Sequence, residues 1–306
     1  MTPDVLFDVV IGIIGGAVRV GAPFLFVSLG ECITEKAGRI NLGLEGVLVF
    51  SAMAGFAGAY WSGSPWIGVL AAGASGALLA LLHGITCSLA RVNDIAMGIA
   101  IMLLGVGLAF YLGKPLIQPQ APQIPSILLG EWSTSPTVRS ALSINALFPF
   151  GIVLAIVMAW AFANTRWGLI VRMVGDSADA ARAQGTSVTA VRIAATVAGG
   201  FIAGLGGACL SLYYPGSWNE GLSSGQGLIA VALVIFARWS PVRCLWAALL
   251  FGGAGAIGPA LQSAGIGGGY YLFAALPYAL TLLILVLTCS PARTLKGAPM
   301  ELGMSR

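Results

Sequence analysis

Long uncharged runs are the feature that most constrains how this chain folds. No Asp, Glu, Lys or Arg occurs from residue 46 to 90 or from residue 244 to 292. A helix that crosses a bilayer needs about 20 apolar residues, so each run is long enough for two such helices. A membrane β-barrel would instead show short segments of alternating polarity. The runs therefore predict an all-α polytopic membrane protein.

Composition excludes the soluble alternatives. Charged residues make up 8% of the 306 residues and hydrophobic residues 58%, whereas an ordinary soluble domain is roughly 25% charged. A soluble globule of this size needs far more polar groups to cover its surface. The net charge is +4, but the basic residues are scattered through short loops. We therefore expect the lipid bilayer as the surroundings of the chain and no nucleic-acid partner.

Hydropathy divides the chain into about nine spanning helices (eight to ten) in a single transmembrane domain, 1–306. The expected segments are 7–29, 41–61, 66–90, 94–113, 145–163, 192–213, 226–237, 246–264 and 272–289. The segment 226–237 is short enough for a half-helix. The first segment carries Arg19 near its middle and Pro23 just after it. Arg19 either marks a membrane boundary, followed by a broken helix, or is an intramembrane charge with a partner.

Basic residues predict the orientation of these helices. They cluster in the segment 164–192, in the link 238–243 and in the C-terminal tail, and the three clusters share one side if the spans alternate. Cytoplasmic loops carry the excess of Lys and Arg, so this side is cytoplasmic and the N-terminus lies outside. The segment 115–144 is rich in Pro and Gln and has one basic residue, Arg139. It is predicted to be an extracytoplasmic loop.

The stretch 30–46 concentrates polar residues between apolar segments. Glu45 lies at the start of a long uncharged run, and Asn41 would lie one helical turn before it on the same face. An ionisable group at that depth usually faces a bundle interior or an aqueous cavity. Asn41 and Glu45 are therefore candidates for a translocation pathway. The alternative is that Glu45 pairs with Arg39 or Lys36 and only fixes the start of the helix.

A second, weaker Asn/Gly/Glu stretch covers residues 219–227. In the predicted topology it lies on the opposite side of the membrane from the first stretch, as an inverted repeat would. Asn219 and Gln226 join the candidate pathway residues on this basis. The alternative is a chance match, because short Gly-rich similarities arise easily.

The segment 164–191 is too polar to cross a membrane. Gly175-Asp176-Ser177 is typical of a turn and helix N-cap, and Gly185 of a C-cap, so a short cytoplasmic helix is expected at 176–185. Such a helix between two spans offers a docking surface for a soluble partner. The candidate residues for that contact are Asp176, Ser177, Asp179, Arg182, Gln184 and Gly185.

The sequence contains no motif for chemistry on this chain. There is no Gly-x-x-x-x-Gly-Lys-[Ser/Thr] loop for ATP, and no His-Glu-x-x-His or Gly-x-Ser-x-Gly motif for hydrolysis. The five cysteines are isolated from one another, with no Cys-x-x-Cys pair. We therefore predict no catalytic residue, no metal site and no cofactor bound by this chain.

Two stretches resemble one transporter family. Residues 30–46 read Gly-Glu-(x)2-Thr-Glu-x-Ala-Gly-(x)2-Asn-Leu-Gly-Leu-Glu-Gly, and residues 165–185 contain Thr-Arg-x-Gly-Leu-(x)2-Arg-x-Val-Gly-Asp and Ala-Ala-Arg-(x)2-Gly. Both resemble permease subunits of bacterial ABC importers for nucleosides and simple sugars, within the wider branched-chain amino acid and ribose permease family. The resemblance covers roughly residues 20–290 and implies a Type II-like importer fold.

The resemblance also implies partners and a location. It implies a second permease subunit, related but different, an extracytoplasmic substrate-binding protein, and a cytoplasmic ATPase that binds ATP and Mg²⁺. The segment 176–185 would dock against the ATPase, and Asn41 and Glu45 would lie near the central pathway. The expected location is the bacterial plasma (inner) membrane, crossed many times.

The expected function is that of an importer subunit that is not itself an enzyme. A nucleoside or purine is the first choice of substrate and a simple sugar the second. A stand-alone secondary transporter, coupled to H⁺ or Na⁺ through Glu45, is the alternative from another class. An intramembrane enzyme is a third class, for which the sequence offers no catalytic constellation.

Overall fold

The apolar segments form helices that pack side by side. The computed structural model describes residues 3–89, 92–133, 136–263, 265, 272–273, 275–288 and 297–304. Within these residues the α-helices are α1 (Pro3–Lys36), α2 (Leu44–Ser62), α3 (Pro65–Thr86), α4 (Asp94–Gly113), α5 (Pro136–Ala141), α6 (Leu147–Asn164), α7 (Arg166–Asp176), α8 (Ala178–Ala183), α9 (Val188–Leu212), α10 (Gln226–Phe236), α11 (Pro241–Ser263), α12 (Leu276–Thr288) and α13 (Met300–Met304). The strands are β1 (Ser126–Leu128) and β2 (Ser143–Asn145), and a 3₁₀ turn follows α4 at Lys114–Leu116.

Seven helices among the described residues are long and apolar enough to cross a membrane: α1, α2, α3, α4, α6, α9 and α11. Each coincides with a predicted segment, because an apolar run in lipid is stable only where a helix satisfies its own backbone hydrogen bonds. The all-α class is therefore confirmed. The other two predicted segments hold shorter helices, α10 with 11 residues and α12 with 13. Since 272–289 is only partly described, the count of nine spans stays a prediction.

Small residues bring the central helices together. Among the seven spans, α2 and α9 are the most deeply buried, and α1 packs along α9 and α11. Where α1 crosses α9, the backbone oxygen of Gly30 occupies the place of a Cβ on Gly199, and the oxygen of Gly199 does the same at Gly30. A larger residue at either position would push the two helices apart, as expected for small residues at membrane helix crossings.

The first helix differs from the expectation of a break after Arg19. α1 continues for 34 residues with Pro23 inside it. Pro23 removes one backbone hydrogen bond, but packing against α9 and α11 holds the helix on both sides of this position. The Arg19 guanidinium donates to the Ser140 hydroxyl (3.3 Å), and none of the ion pairs among the described residues involves Arg19. Arg19 therefore lies toward the end of the bundle that carries the segment 115–144.

The connecting segments lie at the two ends of the bundle as the predicted alternation of spans requires. At one end, the segment 115–144 contains α5 and the antiparallel pair of β1 and β2. The Tyr213 hydroxyl, just after α9, donates to the Ser143 carbonyl of β2 (2.8 Å). At the other end, Arg192 near the start of α9 pairs with Glu301 of the C-terminal helix α13 (3.0 Å). The tail and the polar segment before α9 therefore share one face, opposite to the segment 115–144.

Candidate functional site

Glu45, in the first turn of α2, forms a hydrogen-bonded contact with the start of α10. Its Oε1 accepts hydrogen bonds from the Ser223 hydroxyl (2.5 Å) and the Gly225 N–H (3.1 Å), and its Oε2 accepts from the Gly227 N–H (2.7 Å). Only 9% of the residue is exposed. Three protein donors therefore take the place of water around this carboxylate.

The start of α10 has the properties of an acceptor site for such a carboxylate. The first N–H groups of a helix lack partners within the helix, and the helix dipole favours negative charge there. Gly225 is the N-cap residue and has a left-handed φ of +78°. A Cβ on Gly227 would lie 2.6 Å from the Glu45 Cα, so only glycine permits this approach. Glu45 thus caps α10 from another helix.

This contact lies near the middle of the bundle in depth. α10 has 11 residues, which is about 16 Å of helix before the basic link that follows it. Gly46 packs against Met102 of α4. Met102 lies about 12 Å along α4 from Asp94, which is at the same end of the bundle as the basic link. Both lengths are close to half of a hydrocarbon core of about 30 Å. The segment before α10 therefore descends from the outer end into the bundle, like the broken helices at transport sites.

Glu45 does not pair with a cation of its own stretch. Arg39 donates to Asp94 at the start of α4 (2.7 Å), and the Lys36 Nζ lies over the Phe162 ring, 5.2 Å from its centroid. The expected alternative, pairing of Glu45 with Arg39 or Lys36, is therefore wrong. Both cations remain near the C-terminal end of α1, whereas Glu45 enters the interior of the bundle.

The two Asn/Gly/Glu stretches meet inside the bundle, where Glu45 contacts the start of α10. Glu45 reaches the stretch 219–227 because that stretch descends into the bundle. Asn41 does not join them. Its N–H donates to the Glu31 Oε1 (2.8 Å), and its Oδ1 accepts from the Gly43 N–H (2.9 Å) in the turn before α2. The expected helical spacing of Asn41 and Glu45 is therefore also wrong.

Two further carboxylates are buried near the C-terminal end of α1. Glu31 and Glu35 lie one turn apart on α1 and are 0% and 2% exposed. Glu35 accepts a hydrogen bond from the indole N–H of Trp239, which follows α10. The Oε2 of Glu31 has no hydrogen-bond partner among the described residues. Sequence analysis did not single out this pair; the signal was the spacing of four between two Glu at the end of an apolar helix.

A cavity of about 560 Å³ lies beside the start of α10. Polar side chains that line it belong to Arg19, Tyr214, Ser224, Gln226 and Tyr278. The Tyr278 hydroxyl donates to the Ser224 carbonyl. The Oε1 of Gln226 is buried and has no partner within the described part of the chain. A neighbouring cavity of about 590 Å³ shares Arg19 and Tyr214, and we call the two cavities together the vestibule.

Of the four predicted pathway residues, the structure brings two together. Gln226 lines the vestibule and is the first residue of α10, whose start Glu45 caps. Asn41 lies in the turn described above, and Asn219 is exposed, with its Oδ1 accepting from the Gly221 N–H (3.1 Å). No group of three His, Cys, Asp or Glu residues suited to a metal ion occurs in the described ranges.

The polar segment 164–191 folds as two helices, α7 and α8. α7 ends at Asp176, and Ser177 caps α8, its hydroxyl accepting from the Ala180 N–H (3.2 Å). This agrees with the turn and N-cap predicted at 175–177, and the extended backbone of Ser177 (φ −157°, ψ 107°) separates the two helices. Gly185 has a φ of +78°, as expected for a residue just after a helix.

α8 exposes charged side chains on its outer face, and Glu301 of α13 binds its first turn. Asp179 and Arg182 form an exposed ion pair (2.6 Å), and Gln184 is exposed beside them. The first N–H of α8 donates to the Glu301 Oε1 (2.8 Å), while the other carboxylate oxygen of Glu301 binds Arg192 (3.0 Å). The C-terminal helix α13 therefore ties α8 to α9.

Comparison with known proteins gives one family over most of the chain. Residues 13–289 match the model of the family described as "branched-chain amino acid transport system / permease component". The match includes the Glu45 contact, α7–α8 and the vestibule apart from Asp8, Val9 and Gly12.

Curated relatives cover three quarters or more of the chain. An ABC transporter permease of Haloferax volcanii, whose name assigns it to glucose, is 34% identical over 79% of this chain and 75% of its own length. A nucleoside ABC transporter permease of Lactococcus lactis is 30% identical over 75% of this chain and 76% of its own. A guanosine ABC transporter permease of Bacillus subtilis is 29% identical over 76% of each.

Proposed function

The chain belongs to the family of permease components of branched-chain amino acid transport systems, and on this premise we propose that it forms the translocation pathway of an ATP-driven importer. It is a multi-pass protein of the plasma (inner) membrane. The proposed cargo is a small polar solute, with a nucleoside or purine as first choice and a simple sugar as second. The relatives support this range, since two are named for nucleosides and one for glucose.

One observation carries the assignment of the pathway: a half-length helix starts at mid-depth, directly below a polar vestibule. Gln226 belongs to both, because it lines the vestibule and begins α10. Its unpartnered Oε1 offers an acceptor to a passing solute. A neutral solute with hydroxyl and amide groups would find donors in Arg19 and Tyr214, and aromatic faces in Tyr214 and Tyr278 for a nucleobase. A sugar would use the same hydrogen-bonding groups without the stacking.

Glu45 holds this arrangement in place in the proposed mechanism. Its hydrogen bonds join α2 to α10 without occupying the vestibule. When the cytoplasmic side moves, α10 is the short element whose tilt changes the floor of the vestibule, since it connects Gln226 to the basic link on the cytoplasmic face. Alternation between outward- and inward-facing states then needs a rigid-body shift of short elements rather than unfolding.

The energy for transport comes, in this proposal, from partner subunits. α8 and the residues around it, Asp176 to Gly185, form the docking surface for a cytoplasmic ATPase that binds ATP and Mg²⁺. This chain is not itself an enzyme and binds no cofactor. A second, related permease completes the pathway, and an extracytoplasmic binding protein delivers the solute to the vestibule.

The test is to purify the assembled complex through a tag on this chain and to measure uptake in proteoliposomes. We expect an ATPase to co-purify, and labelled guanosine to accumulate only with internal ATP. Unlabelled guanosine and glucose, added in turn as competitors, identify the solute class. Accumulation that collapses with proton and sodium ionophores at constant ATP, without a co-purified ATPase, would instead establish a secondary transporter.

A further inference from the structure

A separate cavity of about 550 Å³ lies at the opposite end of the protein from the vestibule. Its lining includes four cationic side chains, Lys36, Arg172, Arg238 and Arg243, and no acidic one. These four come from α1, α7, the link after α10 and the start of α11. We call this site the basic cavity. It has no part in the transport mechanism proposed above.

Among the described side chains, none of the four cations forms an ion pair with an acidic residue. The ion pairs among the described residues are Arg39–Asp94, Arg182–Asp179 and Arg192–Glu301. The segments outside the described residues contain no Asp or Glu. Like charges around one cavity repel each other. The cluster is therefore completed by an anion from outside the chain.

The position of the basic cavity indicates the membrane surface as the source of that anion. The cavity lies at the cytoplasmic ends of α1, α6 and α11, and its inner wall is apolar, formed by Ala159 and Phe162 of α6. Trp160, near the end of α6, and Trp246, near the start of α11, are both exposed. Exposed Trp side chains near span ends are typical of the interface between hydrocarbon and headgroups. The four cations would bind the phosphate of a lipid, and the apolar wall would contact its acyl chains.

The local backbone also favours an anion here. Arg238 and Trp239 both have left-handed φ values, +50° and +53°, a conformation that residues other than glycine rarely adopt. The indole of Trp239 is held by Glu35 of α1, which maintains this turn and keeps Arg238 at the cavity. α11 begins at Pro241 in the same lining, so the positive end of a 23-residue helix adds to the four side chains.

We propose that the basic cavity binds the headgroup of an anionic phospholipid of the cytoplasmic leaflet. Basic pockets between membrane helices on this side are suited to lipid phosphate. A free phosphate would satisfy the same cations, but it would leave the apolar wall without a partner. The bound lipid joins α6, α7 and α11 next to the segment that carries α8.

The experiment titrates the purified complex with short-chain phosphatidylglycerol and follows its Tm. Parallel titrations use short-chain phosphatidylcholine and inorganic phosphate. We expect phosphatidylglycerol alone to raise Tm at low concentration. The half-saturating concentration should rise about fivefold in Arg172→Gln and in Arg243→Gln, since each cation near a membrane surface contributes a factor of this size. Arg243→Lys should stay close to wild type.

Arg166→Gln is the matched control. Arg166 lies on α7, as Arg172 does, but it does not line the basic cavity. It should leave the half-saturating concentration unchanged. Equal protection by phosphatidylcholine, or equal weakening in Arg166→Gln, would overturn the proposal in favour of diffuse surface charge. Equal protection by inorganic phosphate would overturn the lipid as the source and leave a site for free phosphate.

Discussion

Glu45 is the residue on which the interior contact depends most, because it supplies both acceptor atoms for three donors. In Glu45→Gln, an amide NH₂ faces an N–H donor, so at least one hydrogen bond is lost and the start of α10 loses its negative charge. We expect the free energy of unfolding to fall by about 2 kcal/mol. Uptake per assembled complex should also fall, because the start of α10 then loses part of its support from α2.

Glu220→Gln is the control for this substitution. Glu220 lies in the same 219–227 stretch but is exposed, so thermal unfolding and uptake should both match the wild type. Wild-type unfolding and uptake in Glu45→Gln would refute the capping role. A lower membrane level with normal uptake per complex would restrict Glu45 to assembly.

Gly227→Ala tests the close approach of α2 and α10 without changing any charge. Helix propensity alone would favour alanine by about 1 kcal/mol. The added Cβ would, however, lie 2.6 Å from the Glu45 Cα and 2.7 Å from its nitrogen, so backbone has to move. We expect a net destabilisation of about 1–3 kcal/mol, measured by thermal unfolding of the purified complex.

The matched change is Gly221→Ala, where the nearest atom to the new Cβ would be the Asn219 Oδ1 at 3.8 Å. It should be nearly neutral. A stabilised Gly227→Ala protein would mean that the two helices are farther apart than the structure has them.

At the scale of elements, α8 is held by its ends while its outer side chains are free to contact a partner. The exposed pair of Asp179 and Arg182 contributes little to stability, so Arg182→Glu should leave the membrane level and Tm unchanged. If α8 docks against the ATPase, the same variant should lose most ATP-driven uptake. Uptake and the amount of co-purified ATPase are measured together.

The swapped double variant Asp179→Arg/Arg182→Glu separates docking from internal stability. It restores an ion pair on α8 but presents the reversed charge order to the partner. Uptake should therefore remain low. Recovery of uptake in the double variant would show that only the pair within α8 matters, and would count against a docking role for these side chains.

For the whole molecule, the alternation of spans predicts which ends face outward. In cells, a membrane-impermeant maleimide should label a cysteine at Gln120 directly and one at Gln184 only after permeabilisation, since both positions are exposed. The background is low, because the four described cysteines are buried. Burial raises the pKa of the Cys87 thiol to about 12, and only the thiolate reacts. Cys289, outside the described residues, is first replaced by Ser. Direct labelling at Gln184 would reverse the orientation.

Local sequence properties decided the class of this protein and the positions of its spans. Charge-free runs of 20 residues or more have one stable form in lipid, and the seven long helices lie where hydropathy predicts them. The cap at Ser177 was also predictable, because capping involves neighbours within three residues. That the segment 164–191 is too polar to cross a membrane was also predictable from its own residues.

Only the tertiary structure decided which polar groups meet. Glu45 lies 178 residues from Ser223, and no local pattern distinguishes this partner from nearby Arg39 or Lys36. The choice depends on how far a short helix enters the bundle, and that depth depends on close packing at Gly227 and Gly46. The basic cavity likewise combines side chains from four parts of the chain. Hydropathy is a property of one segment, whereas a site is a property of several segments packed together, so the sequence by itself determined the helices and the packing determined the site.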